Sequence, residues 1–179
     1  MARIIIVYGV IGGIIVAIGM WVGMSAQPEG GSAWGMVVGY LTMLIALSTV
    51  FVAIKRYRDT ACGGVIRFLP ALGLGLAIAL IVSAFYVVTW ELWMFVTNYT
   101  FMDLYIAKSL EAMRAEGKPA AEIAAFAHDM AAMKFSYADP VYRMAITLSE
   151  VAPIAVLVAI ISAAVLRNRR VFASVVPRA

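Results

Sequence analysis

Four stretches of this chain, residues 4–24, 34–54, 71–95 and 144–166, each run for about twenty residues without a lysine or an arginine. About twenty apolar residues are what a helix needs to cross a hydrocarbon layer roughly 30 Å thick. The rest of the composition agrees. Of 179 residues, 64% are hydrophobic and 13% charged, against roughly 45–50% and about 25% in soluble domains. A chain this short has too little interior to keep that much apolar surface from water. The sequence therefore predicts an all-α integral membrane protein, a four-helix bundle solvated by lipid, and excludes a soluble enzyme or a nucleic-acid-binding module. The single cysteine, Cys62, excludes an internal disulfide framework. It reads as a small residue beside Gly63 and Gly64.

The first stretch begins after Met1-Ala2-Arg3 and ends near Met24-Ser25-Ala26, which invites comparison with a secretory signal. A signal's apolar region is only about 7–15 residues long, so a retained helix is expected. Basic residues near span ends face the cytoplasm. Putting Arg3, Lys55, Arg56, Arg58, Arg67, Arg167, Arg169, Arg170 and Arg178 on one side gathers nine cations and one acid, Asp59. The other side holds Lys108, Arg114, Lys118, Lys134 and Arg143 with seven acids, among them Glu29, Asp103 and Asp139. Both termini are thus expected in the cytoplasm, a parity that four spans require.

Residues 96–143 form the one sizeable segment between spans, predicted as an extracytoplasmic helical hairpin. Gly117 stops the first helix and Pro119 suits the first turn of the second. Ile123, Phe126, Met130, Met133 and Tyr137 recur on one helical face, expected to rest on the bundle or the headgroups. Asp139-Pro140 then offers an N-cap and a first helical residue for the fourth span.

Ionisable residues inside spans are costly and default to functional hypotheses. Here they are Glu91 and Glu150. Glu91 follows Pro70 by 21 residues, ~31 Å of helix, and Glu150 precedes Arg167 by 17, ~25 Å. Both fall near the outer interface, where they could form a carboxylate pair. Arg143, Thr147 and Glu150 sit at offsets 0, 4 and 7, so Arg143 is the expected partner of Glu150. The plainer reading makes each Glu a solvated or salt-bridged interfacial residue among the belt tryptophans Trp90 and Trp93.

The run Lys55-Arg56-Tyr57-Arg58-Asp59 reads as an orienting charge cluster or, alternatively, as a cytoplasmic site for anions or lipid headgroups. Gly9/Gly13, Gly19/Gly23 and Gly35/Gly39 repeat at four-residue spacing, which suits close packing within the bundle or a homodimer. The lone histidine, His128, lacks metal-ligand spacing. No metal, cofactor or nucleic-acid partner is expected, nor any nucleophile or phosphate-binding motif.

Tyr40 and Met43, Lys55-x-Tyr57-Arg58-Asp59, Gly63-Gly64-Val65-Ile66-x-Phe68, Gly73-x-Gly75, and Tyr86 with Trp90-Glu91 follow one another in a recognisable order. With Thr147-x-x-Glu150-x-x-Pro153 and Leu166-Arg167-Asn168, the chain resembles the bacterial four-span membrane family of domain of unknown function 4199 over nearly its whole length. The resemblance implies a four-span inner-membrane protein and supplies no activity. The expected function is a non-enzymatic assembly or accessory protein. The alternatives are a small proton- or cation-coupled transporter or channel using Glu91 and Glu150, and a lipid-acting membrane enzyme.

Overall fold

The computed structural model describes residues 1–26 and 33–171. Glu29 and Arg178, counted in the charge balance, lie outside the described residues. Six helices follow one another: α1 (Ala2–Ala26), α2 (Ala33–Ala61), α3 (Phe68–Val96), α4 (Phe101–Ala115), α5 (Ala120–Tyr137) and α6 (Pro140–Leu166). The first three and the last are long and apolar enough to cross a membrane. Helix α2 continues seven residues beyond the expected end of the second span, so Lys55 to Asp59 form its last turns rather than a loop. It stops at Gly63 and Gly64, whose φ angles of 60° and 82° few side chains tolerate. The Gly64 amide there bonds back to the Arg58 carbonyl at 2.9 Å.

Helix α3 packs on α1 and α6, α2 touches the same two, and α2 and α3 meet across the middle. Each contributes a stripe of buried residues at three- and four-residue spacing: Leu47, Val50 and Ile54 from α2, Leu74, Ile78 and Val82 from α3, Val151, Ala155 and Ala159 from α6. Without a hydrophobic driving force between helices in lipid, small residues and close backbone approach hold such a bundle. The glycines of α1 do this. A Cβ on Gly9 would stand 2.8 Å from Ile81 and one on Gly12 would stand 2.6 Å from the Thr49 hydroxyl. Gly13 lies equally tight against Phe85, and Gly19 against Thr42. Packing within the bundle thus accounts for these four, while Cβ atoms on Gly23 and Gly39 would meet nothing within 4 Å.

Helices α4 and α5 lie against each other and α5 also touches α6. They mark what we call the α4–α5 end of the bundle. Gly117 closes α4 with φ of 71°, as expected, and Pro119 sits one position earlier than expected, at the N-cap of α5. Lys134 of α5 pairs with Asp103 of α4. Along the apolar face of α5, Ile123, Phe126 and Met130 are half-buried, Met133 is exposed and only Tyr137 is buried. Asp139 caps α6 as its sequence predicts, accepting from the Val141 amide at 2.7 Å and the Tyr142 amide at 3.1 Å.

Candidate functional site

Arg143 lies one turn into α6 and heads its buried stripe: Arg143, Thr147, Val151, Ala155 and Ala159 recur every four residues and are all buried. Glu150 falls beside this stripe, not on it. The guanidinium consequently turns to α3. Its Nε donates to Glu91 Oε1 at 2.8 Å and its Nη2 donates to Glu91 Oε2 at 2.6 Å, the parallel fork that a planar guanidinium makes with a carboxylate. Nη1 donates to the Tyr137 carbonyl at 3.0 Å. The Arg143 side chain is 2% exposed and that of Glu91 24%. The expectation that Arg143 partners Glu150 is therefore corrected. Helix length explains the choice. Glu91 is five residues from the end of α3 and Arg143 three from the start of α6, ~8 Å and ~5 Å of helix, whereas Glu150 lies ten residues in, ~15 Å.

Aromatic residues complete this corner. After α3 the chain turns through two residues in the left-handed region, Asn98 (φ 51°) and Tyr99 (φ 59°). Such a conformation is uncommon for a bulky side chain and persists only where surroundings fix it. Here it sets the Tyr99 ring 5.1 Å from the Arg143 guanidinium, with the Tyr137 ring at 5.9 Å. The Trp90 indole N–H donates to the Tyr137 hydroxyl at 2.8 Å, and Trp90 meets Phe101 edge to face at 4.9 Å. Burial pushes the Tyr137 phenol up to about 12, and a lone pair of its oxygen accepts the Trp90 bond. Thr147 returns its hydroxyl to the Arg143 carbonyl at 2.9 Å.

Glu150 has a different environment. It takes a hydrogen bond from the Tyr86 hydroxyl at 3.2 Å and faces a cavity of about 370 Å³ between the long helices at the α4–α5 end. Tyr86, Trp90, Tyr137 and Thr147 share its wall with Glu150. Across from them α1 and α2 bring Gly19, Gly23 and Gly39, with Met20, Met24 and Met43 between. Glu91 is absent from that lining. The two carboxylates thus have separate partners, one in an ion pair and one in a cavity. Of the residues that carry the family resemblance, Tyr40, Met43, Tyr86, Trp90, Thr147 and Glu150 all border this space.

At the opposite end, the basic cluster is divided. Arg58 is fully buried. Its Nε donates to Asp59 at 2.8 Å, and its Nη1 donates to the carbonyls of Leu166 at 3.3 Å and Val171 at 3.0 Å. These close the C-terminus of α6, where unpaired carbonyls and the helix dipole favour a cation. Lys55 reaches the same Asp59 at 2.8 Å, Tyr57 packs on the core, and Arg56 is exposed. Arg58 hence faces protein and not headgroups. The sequence carries a signal for this: Arg58 continues the buried spacing of Val50 and Ile54. His128 is exposed, 3.5 Å from Asp129, and among the described residues no three His, Cys, Asp or Glu side chains gather as metal ligands.

Bundle, span lengths and buried ion pair together define a multi-pass helical membrane protein. The model of the family described as Protein of unknown function (DUF4199) matches residues 7–168, and the chain belongs to that family. No curated protein and no solved structure matches it.

Proposed function

We propose that the protein is a non-enzymatic assembly or accessory protein of the bacterial inner membrane, with both termini cytoplasmic and α4 and α5 outside. The observation that carries this reading is the Arg143–Glu91 fork. It neutralises one of the two intramembrane carboxylates and uses it to fasten α6 to α3 beneath α4 and α5, so what the bundle holds in place is a platform. Phe135 on α5, 85% exposed, and Val141 at the start of α6, 72% exposed, give that platform apolar side chains to offer a neighbour. The charge asymmetry supports the orientation.

Two measurements test this. A photo-crosslinking amino acid at position 135 in native membranes is expected to yield a discrete protein adduct; lipid adducts alone would remove the assembly reading. In a Cys62→Ser background, Lys118→Cys is expected to react with an impermeant thiol reagent in intact cells and Arg169→Cys only after lysis, and the reverse would overturn the orientation. A second reading, transport, is favoured by Glu150, which faces the cavity. Proteoliposomes with an imposed pH gradient decide it: a flux that Glu150→Gln abolishes would replace the accessory reading.

A further inference from the structure

The cavity at the α4–α5 end contains one formal charge among its described lining residues, the carboxylate of Glu150. No Lys, Arg or His borders it, and among the described residues Glu150 forms no ion pair. Its Oε2 is bonded by the Tyr86 hydroxyl, while Oε1 accepts no hydrogen bond among the described residues. Glu91 differs, being held by a guanidinium fork: the fold supplies a cation for one carboxylate and leaves the other facing space. Around that space stand the aromatic side chains of Tyr40, Tyr86, Trp90 and Phe101.

We infer that this cavity binds a lipophilic organic cation carrying a single positive charge, with Glu150 as its counter-ion and the surrounding aromatic rings as its walls. The chemistry selects among cations. A hard divalent ion needs about six oxygen ligands, and one carboxylate with a phenol cannot replace its water. A bulky cation with dispersed charge is weakly hydrated and keeps its charge near the carboxylate. It also gains from aromatic rings, to which cations are attracted. The volume of about 370 Å³ lies within the roughly 300–1,000 Å³ of small-ligand pockets. Glycine at position 39 matters for the same reason, because a Cβ there meets nothing within 4 Å and a larger side chain would enter the cavity. This inference stands apart from the accessory reading, since binding is read at equilibrium without flux or partner.

The test uses the full-length protein in detergent micelles and two probes of like shape and opposite charge, tetraphenylphosphonium and tetraphenylborate. Saturable binding of the cation above protein-free micelles is expected, with none of the anion. Glu150→Gln is expected to weaken cation binding at least about tenfold by removing the one formal charge among the cavity's described lining residues. Gly39→Phe is expected to abolish binding sterically while leaving Glu150 in place. Folding of each variant is checked by its elution profile and melting temperature. If Glu150→Gln fails to fold, the charge-reversed probe and Gly39→Phe decide the matter. Equal binding of both probes, as a site for neutral acyl chains would show, overturns the inference. So does a folded Glu150→Gln or Gly39→Phe that binds like the native protein, or absence of saturable cation binding.

Discussion

Removing Glu91 and removing Arg143 should not cost the same, although both break one ion pair. Glu91→Gln leaves a guanidinium that is 2% exposed with the Tyr137 carbonyl and two aromatic rings but no counter-charge. Stranding a buried charge costs about 3–5 kcal/mol, and the surviving contacts to Tyr137 and Tyr99 lower this to roughly 2–4 kcal/mol. Arg143→Met instead strands a carboxylate that is 24% exposed near the end of its helix, where water can reach it. It also loses the bond to the Tyr137 carbonyl, and its cost should be about 1–2 kcal/mol. The double variant Glu91→Gln/Arg143→Met should be more stable than Glu91→Gln alone, because no charge is left stranded. Thermal unfolding in a single detergent, followed by circular dichroism, reads all three. At about 2–4 °C per kcal/mol for a chain of this size, Glu91→Gln should melt several degrees below Arg143→Met. Equal shifts for the two single variants, or a double variant that melts at the sum of both, would refute the reasoning that the buried guanidinium dominates.

Arg58→Met should destabilise by about 2–4 kcal/mol, since Asp59 loses a partner and the carbonyls of Leu166 and Val171 lose their donor; hydrogen exchange should rise first around Leu166. Gly13→Leu should separate α1 from Phe85 and abolish a monodisperse elution peak. Gly73→Ala, where a Cβ meets nothing within 4 Å, should instead stabilise by about 0.5–1 kcal/mol through helix propensity. For Tyr137, the phenol is pushed up to about 12 in the folded protein from about 10 unfolded. The unfolded chain therefore releases that proton first, so its contribution is intact below pH 10 and is lost as pH rises from 10 toward 12. Melting temperatures of native protein and Tyr137→Phe should converge over that interval; a constant gap would contradict the assignment.

The four long apolar helices were legible because a twenty-residue apolar run has few alternatives in a short chain, and the cap at Asp139-Pro140 was legible because both residues act within their own turn. The ion pair was not. Helical offsets place Arg143, Thr147 and Glu150 within one broad face, but the partner is chosen by how α6 is rotated against α3. That rotation depends on the whole stripe down to Ala159. Helix ends mattered as well: counting from Pro70 and Arg167 put the two glutamates at similar height, whereas the observed ends of α3 and α6 leave Glu150 about two turns deeper than Arg143. Arg58 was read as a surface charge because basic residues after a span usually are, although its spacing from Ile54 continues the buried stripe.

Helix α6 is fastened near both ends by guanidinium groups: its own Arg143 holds α3, and Arg58 of α2 holds the carbonyl of its last residue, Leu166. Sliding along its axis by one helical step, about 5.4 Å, would break both fastenings together, so a piston stroke is the motion this helix resists most. Bending is another matter. Pro153 lies between the two fixed points and lacks the amide that would complete a rung, which makes it the compliant joint of a rod clamped at each end. Glu150 is one turn away from that joint. A flexure there would swing the carboxylate relative to Tyr86 without disturbing either clamp, and would change the shape of the cavity while the bundle around it keeps its register.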